Sequence, residues 1–222
     1  MRLEVHTAMQ APGFAERGRA ALGLALAGLT AGLLVKFSLV SPAPEPARHH
    51  PRIVMDSSTL VPGDLVFRRG RSMISRAVLS LDGESEFSHV AIAVSIANQI
   101  RVVHAIPPEG TDSGGVIEEP LESFLIPELA SAAALYRPKD AAVGTRAAAT
   151  ALRYARARTP FDSGFDLSTP DAMYCTELVW RAYLEAGADL IGGFHERYLL
   201  PSRLLMSPEF RLIKEYKEEE IP

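Results

Sequence analysis

Cysteine is nearly missing from this chain: Cys175 is the single one in 222 residues. That excludes an intrachain disulfide framework and leaves the sulfur only the chemistry of a thiol. It assigns no compartment, since a protein without disulfides can be exported or retained. Positive charge is short as well. The formal net charge is −4, and from residue 51 onward 18 basic side chains face 24 acidic ones. Such a balance gives no basic footprint for nucleic acid. A phosphate-binding loop is lacking too. Glu109-Gly110-Thr111-Asp112-Ser113-Gly114-Gly115 is glycine-rich but without the required order, and reads as a flexible loop. Histidines do not gather into a metal set, because His49 and His50 fall in a linker and His195 lies beyond the other motifs. No cofactor or metal is expected.

What is present begins at the N-terminus. Arg17 and Arg19 precede an uncharged run from Ala20 to Val35; Lys36 interrupts it, and Phe37 to Val40 add apolar length. A basic region over residues 1–19 followed by a signal peptide or signal-anchor helix over 20–40 is the expectation. Pro44, just after Ala43, would hinder cleavage there, so an uncleaved anchor is preferred to a removed peptide. The arginines favour a cytoplasmic N-terminus with the remainder outside. A buried or surface helix is the competing reading, given the alanine and glycine content. No lipid-attachment cysteine follows the segment. Pro42, Pro44, Pro46 and Pro51 mark residues 41–52 as an extended linker. A folded domain is expected over 53–214, with a charged tail over 215–222. The expectation is a protein of the bacterial cell envelope, inner-membrane anchored or exported, with its folded domain outside the cytoplasm.

Within the domain, Pro62-Gly63-Asp64 reads as a turn leading into a strand at Leu65 to Phe67. Arg71 to Leu81 reads as a helix with Met73, Ile74, Ala77, Val78 and Leu81 on one face. Val90 to Val94 and Ile100 to Ala105 are apolar strands joined near Ala97-Asn98-Gln99. Further strands are expected at Gly115 to Glu118, Ala133 to Tyr136 and Phe210 to Ile213. The Ala- and Arg-rich stretch Ala141 to Arg158 is helical, and another helix runs from Cys175 to about Ala186, stopped by Gly187. Trp180, Tyr183 and Leu184 recur at helical spacing along it and read as core. Antiparallel strands with helices to one side define an α+β domain.

Cys175 sits where an irregular stretch becomes that helix. Free N–H groups and the positive dipole end there favour a thiolate over a thiol and can hold a developing oxyanion. The bland alternative is a buried thiol packed as a small hydrophobe. His89 opens one strand and His104 ends the next. Seven residues back from 97 is 90 and seven forward is 104, so the two imidazoles are expected on neighbouring strands at one sheet edge. A thiol nucleophile needs a base, and the base needs a third group to fix its tautomer. Either histidine alone reads as a polar residue satisfied by backbone; with Cys175, the pair reads as a site. Asp64, Asp162 and Asp166 read as turn and loop caps, and Glu177 as a partner of the helix dipole.

Four segments occur in an order shared with a known family: Gly63-Asp64-Leu65-Val66-Phe67, Phe87-Ser88-His89-Val90-Ala91-Ile92, Val103-His104-Ala105 and Tyr174-Cys175-Thr176-Glu177-Leu178-Val179. With Pro160-Phe161-Asp162 and Phe165-Asp166-Leu167-Ser168 between them, the chain resembles the permuted papain-like amidases. These are the YiiX/YaeF branch of the NlpC-related cysteine hydrolases, kin to lecithin:retinol acyltransferase. The likeness covers roughly Val61 to Leu190. It implies a small antiparallel sheet or open barrel packed against helices, with the nucleophile at a helix N-terminus and the histidine preceding the cysteine in the chain. Carried over by position, it implies Cys175 as nucleophile, His89 as general base and His104 as the orienting polar residue, where some relatives have a carboxylate. The Cys175 N–H and Tyr174 would form or line the oxyanion site.

The resulting expectation is a cysteine hydrolase cleaving an amide or acyl bond, on cell-wall peptides, lipid or N-acylated molecules. The alternatives are an acyltransferase or phospholipase using the same three residues, and a noncatalytic or zinc-binding module in which one cysteine and two histidines hold a metal.

Overall fold

The computed structural model describes residues 51–169, 171–193 and 198–218. The segments expected over 1–19 and 20–40, and the linker as far as residue 50, lie outside them. Among the described residues no helix is long and apolar enough to cross a membrane.

Six strands form one antiparallel sheet: β1 (Leu65–Gly70), β2 (His89–Ile96), β3 (Gln99–Ile106), β4 (Gly115–Pro120), β5 (Ala130–Pro138) and β6 (Phe210–Lys217). Their order across the sheet is β4-β3-β2-β1-β5-β6, every neighbouring pair antiparallel. β2 reads as a nearly unbroken apolar run because both its faces are covered. Val90, Ile92 and Val94 join one core cluster, whereas Ala91 and Ala93 join another. β6 carries Lys214 to Lys217 along β5, so residues 215–217, expected in a loose tail, are part of the sheet.

The connections include helices α1 (Met73–Asp82), α2 (Leu121–Phe124), α3 (Ala141–Arg156), α4 (Cys175–Glu185) and α5 (Pro201–Leu205). The larger core cluster unites alanines of α3 and Leu178, Val179, Ala182 and Tyr183 of α4 with Leu65, Phe67, Val90 and Ile92 of the sheet. Of the three α4 residues read as core, Tyr183 is fully buried, Trp180 is half-buried, and Leu184 turns outward at 44% exposure. The buried stripe is set by Leu178, Val179 and Ala182 instead. α3 starts at Asp140, whose carboxylate accepts from the N–H groups of Ala142 and Val143. It approaches the turn before β1 closely: a Cβ on Gly63 would lie 2.4 Å from Gly144 Cα. Gly63 also has φ +96°, a conformation a larger residue resists. The Tyr183 hydroxyl donates to the Gly63 carbonyl and pins α4 to the same turn.

The smaller cluster lies on the other face of the sheet, where Val66, Ala91, Ala93 and Val102 meet Leu121 and Phe124 of α2. Asp64, fully buried, accepts from Val61 N–H and from Nε and a terminal nitrogen of Arg137 at 2.7–2.9 Å. That confines it to a structural task.

Candidate active site

A two-residue turn at Ala97 and Asn98, both with positive φ, sets the pairing of β2 with β3. Ile92 lies opposite Val103, so Ala91 lies opposite His104. His89 is therefore not directly across from His104 but two residues along, on the same face, in the diagonal relation that long side chains can span. β3 and β4 repeat the step, with Ile117 opposite His104 and Glu119 opposite Val102. His89, His104 and Glu119 thus descend diagonally across three strands.

Hydrogen bonds follow this diagonal. His89 Nε2 is 2.8 Å from His104 Nδ1, and His104 Nε2 is 2.8 Å from Glu119 Oε1. The proton positions follow from one end. A carboxylate only accepts, so His104 donates from Nε2 and, as a neutral ring, has a lone pair at Nδ1. His89 then donates from Nε2, and its own Nδ1 is the free acceptor. Phe124 shields the chain of bonds: its ring stacks on His89 at 5.6 Å and meets His104 edge-on at 5.0 Å. Above the same ring lies the Arg68 guanidinium, 4.3 Å from the centroid, donating to the Phe124 carbonyl. Arg68 is the β1 residue paired with His89.

Burial and this cation hold the imidazoles neutral. The His89 pKa is lowered well below 6.5, first by desolvation and then by the charges of Arg68 and His104. His104, 2% exposed, is lowered by burial against the opposing pull of Glu119.

Cys175 arrives from the opposite face, at the first turn of α4. Backbone N–H groups of Val90, Thr176 and Cys175 itself point at the sulfur, and Val90 directly follows His89 in the chain. Those groups and Arg68 favour the thiolate, yet burial outweighs them and pushes the thiol up to about 11. The helix terminus was expected to favour a standing thiolate; desolvation reverses that balance. At neutral pH both shifts favour the uncharged thiol and the uncharged imidazole. Among the described residues no hydrogen bond joins the sulfur to the His89 ring.

Tyr174 lines the cavity that holds Cys175, and its hydroxyl accepts from the Leu199 N–H at 2.8 Å. That hydrogen bond braces the cavity wall. Glu177 accepts from the Tyr174 N–H and pairs with Arg181, which in turn holds the Leu167 and Thr169 carbonyls. Burial raises Glu177 to about 7. Asp162 accepts from the N–H groups of Gly164 and Asp166, shaping the loop before α4. His195 lies outside the described residues.

Two participants escaped the sequence reading. Glu119 fell one residue past the strand expected to end at Glu118, and Arg68 one residue past the strand begun at Leu65. The spacing of 15 residues from His89 to His104 and again to Glu119 is the signal that could have found the former.

Residues 59–195 match a family described as permuted papain-like amidase enzyme, YaeF/YiiX, C92 family. No curated protein matches the chain. Among solved structures, the metalloprotein yiiX from Escherichia coli O157:H7 is similar, with a TM-score of 0.56 and 22% identity, over 71% of this chain and 97% of that one.

Proposed function

The chain belongs to the permuted papain-like amidases of the C92 family, cysteine hydrolases, and from that premise we propose that Cys175, His89, His104 and Glu119 cleave an amide through a thioacyl-enzyme. The observation that carries these roles is the His89–His104–Glu119 chain, because it fixes the tautomer that leaves Nδ1 of His89 unprotonated.

As the sulfur attacks the carbonyl carbon, His89 takes the thiol proton, and the C–S bond forms. Positive charge then develops on an imidazole whose other nitrogen is hydrogen-bonded to His104, with the Glu119 carboxylate beyond it. The oxyanion forms at the start of α4, where the Cys175 and Thr176 N–H groups are the available donors. Collapse breaks the C–N bond, and His89 gives its proton to the departing nitrogen. Water then attacks the thioester; His89 accepts the water's proton and returns it to the sulfur as the C–S bond breaks, releasing a carboxylic acid.

The solved yiiX is described as a metalloprotein, but among the described residues of this chain those around Cys175 do not suit a metal. Both ring nitrogens of His104 are engaged, leaving the Cys175 sulfur and one nitrogen of His89, fewer than the three or four protein ligands zinc takes. Among the described residues no group of three or more His, Cys, Asp or Glu is placed to hold one. The arginines and apolar run of residues 17–40 support placing the reaction outside the cytoplasm, at the bacterial cell envelope and tethered to its membrane.

Cys175→Ala tests the reading. Turnover is expected to fall by at least ~10⁴-fold with the fold retained; undiminished turnover of a verified substrate would end it. His89→Ala should slow alkylation of Cys175 by iodoacetamide at neutral pH, and an unchanged rate would remove His89 from the base role.

A further inference from the structure

An i,i+4 ion pair on a helix surface is ordinarily a minor stabiliser. The pair of Glu177 and Arg181 on α4 is built differently. Glu177 is fully buried, and its carboxylate accepts from Arg181 Nε at 2.8 Å and from the Tyr174 N–H at 3.4 Å. Nη2 of the same guanidinium donates to two carbonyls of the loop before α4, those of Leu167 and Thr169, each at 2.9 Å. One planar group thus joins α4, the residue preceding Cys175 and two points of that loop. The base of the loop is closed separately. There the Met173 N–H donates to the Pro160 carbonyl at 3.0 Å, and the Asp162 N–H to the Met173 carbonyl at 3.3 Å. What Arg181 adds is a hold on the loop beyond its base.

That part of the loop faces the nucleophile. Phe161, Ser163 and Phe165 form one wall of the cavity of about 650 Å³ that holds Cys175. Ile74 and Leu81, from the apolar stripe of α1 and 49% and 70% exposed, contribute another. Phe165 stands two residues from the held Leu167 carbonyl, and its ring lies 5.2 Å from that of Tyr174 and 5.8 Å from that of Phe161. A shift of the carbonyls at 167 and 169 would therefore carry the Phe165 ring away from Tyr174. We propose that Arg181 is a positioning residue of the site, holding residues 161–169 so that the rings of Phe161 and Phe165 stand as a wall beside Cys175 and fix what can seat against the sulfur. This rests on the amidase reading above, yet it concerns seating and not proton transfer. A misplacement of about 1 Å, arising far from the chemistry, can cost ~10²-fold.

Alkylation of Cys175 in the full-length protein tests this. Iodoacetamide is too small to need the wall, whereas N-benzyl iodoacetamide must seat against it. Arg181→Met alone would strand the buried Glu177 carboxylate. The variants are therefore Glu177→Gln combined with Arg181→Met, and Arg181→Lys, which keeps the charge but loses the planar fork. The benzyl probe's half-saturating concentration is expected to rise about 10-fold in the double variant and about threefold in Arg181→Lys, with the iodoacetamide rate within about twofold of native. A tie that serves stability alone would lower the thermal midpoint and leave the ratio of the two probes unmoved; that result would overturn the assignment while leaving the amidase intact. Equal slowing of both probes would overturn it too, because the loss would then lie in the thiol and not in the wall. A native Cys175 inert to both probes would overturn the amidase reading and this assignment together.

Discussion

The two faces of the sheet do different work with different materials. One is covered by α3 and α4 and filled with Leu65, Phe67, Val90, Ile92 and their helical partners, an apolar layer with few polar interruptions. The other has the single turn of α2, with Ile53, Leu60 and Leu125, over a smaller cluster, and at its end Arg68, His89 and His104 gather around the ring of Phe124, with Glu119 joined through His104. In the reaction proposed above, the larger face carries Cys175 at the start of a packed helix, and the smaller carries the hydrogen-bonded chain of His89, His104 and Glu119. They meet where β2 begins, with the Val90 N–H pointing at the sulfur. Changes on the thick face should therefore register as stability, and changes on the thin face as proton chemistry.

The sharpest way to break that division is Glu119→Leu. Without the carboxylate nothing compels His104 to donate from Nε2, and the tautomer of His89 is no longer fixed. We expect kcat/KM to fall ~10–100-fold, with alkylation of Cys175 slowed in parallel and the thermal midpoint little changed. A large loss of stability with normal alkylation would make Glu119 a structural residue.

Phe124→Ala straddles the comparison. The base must be neutral to act, so activity disappears as pH falls through the His89 pKa. Since that pKa is lowered, the acid limb of kcat/KM in the native protein should lie below the ordinary imidazole range. Removing the ring admits water, weakens the desolvation that lowers His89, and should shift the limb upward. The lost packing should cost about 3 kcal/mol. A limb that stays in place would show that Phe124 does not control hydration of the relay.

The smallest effect is expected on the thick face. Tyr183→Phe deletes the hydrogen bond to the Gly63 carbonyl and should lower stability by ~1 kcal/mol, a shift of a few degrees in Tm. Its pH profile should overlay that of the native protein. Any displacement of the acid limb would mean the two faces are coupled through α4.

How much of this could be read from the chain alone differs between the same two regions. Strand and helix periodicities located the elements of the thick face, and the irregular-to-helix transition placed Cys175 at the start of α4. The thin face was legible only in part. Counting from the turn put residue 90 opposite His104, whereas the two positive-φ residues at 97 and 98 put Ala91 there. A pairing offset of one residue is invisible in composition, yet it decides which side chains can touch. Glu119 depends on the path of the chain between β3 and β4, and apart from the repeated 15-residue spacing nothing local marks it. The open stripe on α1 shows a different limit: its spacing foretold a helix with one apolar face but not that this face would line a cavity.

The even descent of His89, His104 and Glu119 across β2, β3 and β4 constrains how this protein can change over time. Side chains alternate sides at every residue, so adding or deleting a single amino acid in the two-residue turn at Ala97 and Asn98 would rotate the downstream partner to the wrong side. Point substitutions in that turn are tolerable wherever backbone geometry permits, but indels of odd length are not. Loop length here is inherited together with the chemistry.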